Sequence, residues 1–360
     1  MISQFCKDSA GDLDFGALYR RLGYKRFRMS RFEEYSLYAE NRSFLVSDRV
    51  ITFNDPGGRL MALKPDVTLS IAKSCPDDGG VQKLYYKENV YRVDEGSGEF
   101  REITQSGLEC MGEVDTYSVC EVLMLAVRSL EMISNKCVLD ISDISILGAV
   151  LDDAGLTDGA RKKALELFEG KNAHGLRSLF REAGADPAKA DLACELAQVY
   201  GRPSDLIPRL RKLLPECAFS ALDQLETVDR LLCKMGAGEK LMLDFSIVND
   251  MHYYNGLTFR GFVSGASRAV LSGGRYDNLM ARLGKKSKAI GFAVYLDALE
   301  NLKRAQGWDV DVMLVYGDSK PDEVIAQVKQ LTDAGKTVCT VKAETPAVRA
   351  KEKIVIGEVR

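Results

Sequence analysis

Residues 84–112, LYYKENVYRVDEGSGEFREITQSGLECMG, constrain the fold more than any other stretch of this chain. Aromatic and β-branched residues stand on both sides of Asp94, Gly96, Ser97 and Gly98, which predicts two strands joined by a turn-rich loop. A two-residue period on the second arm sets Arg101, Ile103, Gln105, Gly107 and Glu109 on one face. An amide and a carboxylate then flank a residue with no side chain, which makes a slot with polar walls. In extended chain their Cα atoms lie about 13 Å apart, so their side chains can close on something the size of an amino acid. Arg92, on the first arm, brings a fixed positive charge nearby. The same pattern also fits a half-solvated hairpin with scattered charges, and the remainder of the chain decides between the two.

Composition narrows the field. A chain of 360 residues exceeds one ordinary core and predicts about two or three domains. With 46% hydrophobic and 28% charged residues it has the balance of a soluble globular protein. A formal net charge of -3 offers no broad basic field, so nucleic acid is not an expected partner. The histidines are His174 and His252 alone, too few for an ordinary zinc site. The cysteines are scattered without CxxC spacing and read as idle thiols of a reducing cytoplasm, where the protein is expected to reside. Neither a cofactor nor a metal is expected. The opening MISQFCKDSAGDLDF lacks a basic stretch followed by an apolar one, and no apolar run approaches about eighteen residues, so neither export nor membrane insertion is expected.

Along the chain, residues 13–23 predict a short amphipathic helix, 24–29 an extended segment and 33–41 a helix. VITFNDPGGRLMALKP reads as a hairpin. Pro65, Asp66 and Thr68 follow where a helix begins, and a carboxylate and a hydroxyl there can serve simply as caps. Val119, Val122, Leu123, Ala126, Leu130 and Ile133 recur at helical steps, and KCVLDIS is a strand. From 144 to 236 the chain is nearly all helix former, a helical insertion whose charges read as a solvated face without chemistry. Strand character returns at 240–248 and continues through HYYNGLTFRGFVSG and AVLSGGRYDNL. Gly273 and Gly274 supply close backbone approach and Arg275 a fork of donors, while Gly291 lets the strand in KAIGFAVYLDAL lie tight against a neighbour. A small α/β unit closes the chain. The expected divisions are 1–143 with 237–306 as a core, 144–236 as the insertion and 307–360 as the terminal unit.

Several segments, in order, resemble a class II aminoacyl-tRNA synthetase, and histidyl-tRNA synthetase above all. LMALKPDVTLSIAK is similar to the segment after that family's first hairpin, and residues 83–112 to its second signature motif. HYYNG and SGGRYDNL resemble its two histidine-specific segments, and AIGFAVYLDAL its third signature. The resemblance implies an α+β fold, an antiparallel sheet flanked by helices. It also implies a histidine pocket in which Asp66, Thr68 and Gln105 hold the α-ammonium, Glu109 and Tyr254 face the imidazole, Tyr253 lines the wall and Arg92 lies near the carboxylate. Asp66 is shorter than the family's glutamate.

The likeness breaks where amino-acid activation needs charge. Asn249 stands at one position where the synthetase has an arginine, and Ala298 at another. Losing one positioned transition-state donor costs about 2.7–4 kcal/mol, so losing two cuts the rate by roughly four orders of magnitude or more if their effects add. The last fifty or so residues resemble only the opening of the synthetase's anticodon-binding domain and lack a basic face. With these departures the chain resembles the regulatory-subunit family of ATP phosphoribosyltransferase. That resemblance implies a non-catalytic, histidine-binding homodimer within a hetero-oligomer whose partner is a short-form catalytic subunit. A working or divergent synthetase would need another group in place of Asn249 and Ala298.

Overall fold

The computed structural model describes residues 13–42, 45, 49–93, 97–248, 254–299 and 308–356. It divides into two compact units, Met1–Ala298 and Leu299–Arg360.

In the first unit, a short helix α1 (Phe15–Arg20) begins at Asp14, whose carboxylate accepts from the Ala17 amide. Only Lys25–Arg26 of the following extended segment joins the sheet, as β1. Strand β2 (Phe32–Glu34) and helix α2 (Tyr35–Glu40) share the stretch predicted as one helix. The hairpin β3 (Thr52–Asn54) and β4 (Leu60–Leu63) closes around Asp55, which accepts from both the amide and the Nε of Arg59. Helix α3 (Thr68–Ser74) follows. The long arms are β5 (Gln82–Val93) and β6 (Phe100–Gly112), antiparallel and in register from Gln82 opposite Met111 to Val93 opposite Phe100.

Helix α4 (Thr116–Ile133) starts where Asp115 accepts from the Ser118 amide and buries the predicted stripe from Val119 to Leu130. Each fully buried aliphatic side chain in that stripe contributes about 1.5–3 kcal/mol. Leu130 rests on Gly261, where a Cβ would come within 2.8 Å of its methyls. Strand β7 (Cys137–Asp143) leads into six helices: α5 (Ile144–Asp153), α6 (Asp158–Glu169), α7 (Ala173–Glu182), α8 (Pro187–Gln198), α9 (Pro203–Leu213) and α10 (Phe219–Lys234). Asp186 caps α8 with Pro187 at its first position, whereas Thr157 precedes α6 without a side-chain cap bond.

The sheet resumes with β8 (Leu241–Leu243), far shorter than the predicted 240–248. Asp244 turns the chain out of the sheet: its carboxylate accepts from the Ser246 amide and from the Lys171 ammonium. Then come β9 (Leu257–Val263), β10 (Leu271–Arg275), helix α11 (Asp277–Arg282) and β11 (Lys288–Tyr295). The eight strands lie in the order β1-β5-β6-β11-β10-β9-β7-β8, antiparallel except for β1 with β5 and β7 with β8. β2, β4 and β3 form a separate small sheet.

The second unit is a parallel sheet of β12 (Val310–Val315), β13 (Val338–Val341) and β14 (Ala350–Val355), with β12 central. Helix α12 (Pro321–Asp333) connects β12 to β13. Among the described residues no helix is long and apolar enough to cross a membrane.

Candidate functional site

Cross-strand register writes the floor of the site. One row runs Thr258, Gly274, Gly291, Glu109 across β9, β10, β11 and β6. The next runs Arg260, Ser272, Ala293, Gly107 and, on β5, Tyr86. Alternation puts both rows on the same face, opposite the face that α4 covers. Above them opens a cavity of about 620 Å³.

Six residues predicted from the sequence line it together: Asp66, Thr68, Arg92, Gln105, Glu109 and Tyr254. Tyr253 lies outside the described residues, as do Asn249 and part of the loop between β5 and β6. Gly107 does not leave the open slot that strand periodicity suggests. The ring of Tyr86 lies over it, with its hydroxyl 2.6 Å from where a Cβ would stand. The glycine beside Glu109 that matters more is Gly291, whose missing Cβ would sit 1.7 Å from Glu109 Oε2. Tyr254 uses Gly274 in the same way.

Glu109 is the hub, 1% exposed. Thr68 donates its hydroxyl to Oε1 at 2.7 Å, and Tyr276 donates to Oε2 at 2.6 Å. Burial pushes the carboxyl from an ordinary 4.5 up to about 8, against the downward pull of the two hydroxyls and with a further push from Asp66. Asp66 does act as a cap, accepting from the Leu69 amide at 2.7 Å, and burial raises its pKa as well. Arg92 donates Nε to the Pro65 carbonyl at 3.0 Å, which places the guanidinium beside Asp66. Burial, with Tyr295 and Glu109 nearby, lifts the Tyr254 phenol well above its ordinary value.

Helix α3, which carries Thr68, is held at its far end by one ammonium. Lys285, just past α11, donates to the carbonyls of Ala72 at 2.5 Å, Lys73 at 3.0 Å and Cys75.

Other lining residues escape strand-by-strand reading. Tyr276 sits within SGGRYDNL, but Arg275 there pairs with Asp277 at 2.8 Å and does not line the cavity. Arg260 and Arg268 add guanidinium groups to the wall. Glu169, at the end of α6, lines it too, and Lys171 bonds Asp244 at 2.8 Å, so the insertion contributes polar groups that its sequence pattern did not suggest.

The groups present suit a small zwitterion. Buried carboxylates and a hydroxyl suit an ammonium, and a carboxylate with four lone-pair positions can accept a ring N–H besides Thr68 and Tyr276. A stability prediction follows from the Glu109 carboxyl. Its folded pKa exceeds its unfolded one, so the folded state holds the extra proton between about pH 4.5 and 8, and its contribution to stability is lost as pH rises through that window. Glu109→Gln should remove that share of the decline, up to about 1.4 kcal/mol per pH unit, in urea unfolding compared with wild type from pH 5 to 8.5.

The histidyl-tRNA synthetase family model matches residues 13–299. The ATP phosphoribosyltransferase regulatory subunit of an Anaeromyxobacter is 34% identical over 299 residues, 81% of this chain and 87% of that protein. That of Caldanaerobacter subterraneus is 32% identical over 289 residues, 79% and 75% of the two chains. Among solved structures, an ATP phosphoribosyltransferase regulatory subunit/histidyl-tRNA synthetase from Bacillus halodurans superposes with a TM-score of 0.73 at 23% identity, covering 92% of this chain and 88% of its own. A chain of the ATP phosphoribosyl transferase complex from Thermotoga maritima gives 0.60 at 21%, covering 78% and 94%. At those identities the two structures speak to the fold, the α+β architecture of class II synthetases.

Proposed function

We infer, from the premise that this chain belongs to the ATP phosphoribosyltransferase regulatory-subunit family, built on the histidyl-tRNA synthetase fold, that its cavity holds free histidine. Occupancy is reported to a short-form catalytic subunit of the same enzyme. The observation that carries this reading is the convergence of Asp66, Thr68, Gln105, Glu109 and Tyr254 on one cavity, with acceptors for an ammonium and for an imidazole N–H. The roles implied for Asp66, Thr68, Gln105, Glu109 and Tyr254 fit this arrangement, with one refinement. Thr68 donates to Glu109, so its oxygen accepts from the ligand ammonium while its hydroxyl hydrogen stays directed at Glu109.

Activation of the bound amino acid is not part of the role. Asn249 and Ala298 bring an amide and a methyl where the synthetase has guanidinium groups for the developing phosphate charge. Histidine instead favours one arrangement of the assembly over another. Linkage then requires that the catalytic partner change histidine affinity by the same factor, typically about 1–3 kcal/mol of coupling.

The regulatory chain also pairs with a second copy of itself. Phe32 and Phe53 stack edge to face at 5.3 Å on the face that Met61 shares, yet are 49% and 39% exposed. An apolar cluster of that kind on a small sheet suits burial against its twin. The assembly works in the cytoplasm, without nucleic acid.

Co-expression with a short-form catalytic subunit tests the reading. The expected outcome is a stable complex whose ATP phosphoribosyltransferase activity falls with added L-histidine, together with no histidine-dependent exchange of pyrophosphate into ATP by the chain alone. Exchange at a synthetase-like rate would overturn the non-catalytic assignment, and absence of any complex would remove the partner.

A further inference from the structure

The wall of the cavity opposite Asp66 and Glu109 carries a cation, one of whose partners belongs to the helical insertion. Arg260 stands on β9, in the same row as Ser272, Ala293 and Gly107, and so on the cavity face of the sheet. Three strand spacings, about 14 Å, separate its Cα from that of Gly107. Its Nη2 donates to Glu169 Oε1 at 3.2 Å, and Glu169 also lines the cavity. The side chains are 29% and 53% exposed, so this ion pair is a weak tie that a competing anion can displace. The other guanidinium groups are placed differently. Arg92 is anchored to the Pro65 carbonyl beside Asp66, and Arg268, beyond β9, is held by Asp297 at 2.6 Å and is 60% exposed.

Just past Glu169 the chain is fastened a second time. Lys171, in the left-handed region at φ 49°, bonds Asp244 at 2.8 Å and lies 5.3 Å from the centre of the Tyr200 ring. Asp140, opposite Arg260 on β7, lies with Tyr200 and Asp244 in this second cluster. Losing the Glu169 contact therefore frees the last turn of α6 while the insertion stays docked through Lys171.

We propose that Arg260 is the receptor for the carboxylate of the cavity's ligand and exchanges Glu169 for it, so that filling the cavity unties the end of α6 from the sheet. This rests on the reading of the cavity as a site for a free amino acid. It adds a ligand group that stands on β9 and a route by which occupancy reaches the insertion. A fork of donors binds a carboxylate through two parallel hydrogen bonds, and a mobile ligand with its own ammonium on Asp66 outcompetes a half-exposed glutamate.

Calorimetric titration of the full chain with L-histidine and with L-histidinol, which lacks the carboxylate, tests the exchange. Wild type should prefer L-histidine by about 10- to 100-fold, the range expected of a charge-assisted pair. Arg260→Gln should erase that preference by weakening L-histidine and leaving L-histidinol in place. Glu169→Gln should tighten L-histidine and leave L-histidinol unmoved, because only the competitor has gone. Hydrogen exchange at residues 166–169 should rise on adding L-histidine to wild type, and should be high with or without it in Arg260→Gln. Equal weakening of both compounds by Arg260→Gln, or unchanged L-histidine affinity in Glu169→Gln, overturns the exchange while the histidine cavity stands. No binding of L-histidine to wild type overturns both.

Discussion

Glu109→Ala should abolish histidine inhibition of the assembled phosphoribosyltransferase and weaken histidine binding to the isolated chain by about 100-fold or more. The carboxylate accepts from Thr68 and Tyr276 and faces the space where an imidazole N–H would donate. Removing it deletes a bond that becomes charge-assisted when the carboxyl gives up the proton it holds below about pH 8, worth about 1.5–3 kcal/mol or a factor of roughly 10 to 150, and also releases the hydroxyl that meets the ammonium. The two orphaned hydroxyls add a stability loss of about 1–3 kcal/mol. Glu109→Gln separates these effects, since an amide keeps the bulk and one acceptor but cannot become an anion. The measurements are inhibition curves on the complex, titration of the free chain, and gel filtration to show that the complex still assembles. Histidine inhibition that persists in both variants would remove Glu109 from the pocket.

Gly291→Ala should cost stability and histidine binding together. A Cβ there would lie 1.7 Å from Glu109 Oε2 and 2.5 Å from the Leu108 carbonyl oxygen. The carboxylate can swing aside, but the carbonyl is part of the neighbouring strand, so β6 and β11 must part. Overpacking of this kind costs about 1–3 kcal/mol and occasionally more. Since Glu109 must move first, histidine affinity should be lost along with stability. Gly148→Ala, within α5, is the control: nothing lies within 4 Å of its Cβ, and alanine there should stabilise by roughly 0.5–1 kcal/mol. Chemical unfolding of both variants, with histidine titration, decides the matter. A Gly291→Ala protein as stable as wild type would mean that the two strands are not packed as tightly as described.

How far the site was legible can be seen residue by residue. Gln105 and Glu109 were visible because a strand's side chains alternate, and one long, regular strand, β6, carries both. The close approach at Gly291 was visible because a glycine inside an apolar run has few other uses. Tyr276, Arg260 and Glu169 were not. Each enters the cavity through long-range neighbours: Tyr276 through a hydroxyl bonded to a carboxylate 167 positions away, and Arg260 through a register between β9, β10 and β7 that no local period encodes. Glu169 ends a helix whose surface pattern is merely amphipathic, and only the fold of the insertion brings it to the sheet. Likewise, the strand predicted over 240–248 stops at Leu243 because Asp244 bonds a lysine in that insertion, a partner invisible to propensity. The sequence order of family-like segments carried the fold; the partners of its polar residues came only with the tertiary structure.

Lys285 has a consequence that reaches past its own surroundings. Helix α3 spans Thr68–Ser74, too short to persist alone in water. Lys285 grips its trailing carbonyls from the end of the segment that starts at Tyr276. Carboxylate, threonine, helix, lysine, second helix and tyrosine therefore form a closed circuit that returns to Glu109. The gap between the two hydroxyls is thus gauged by a side chain that does not line the cavity, and its width can be retuned from outside the walls.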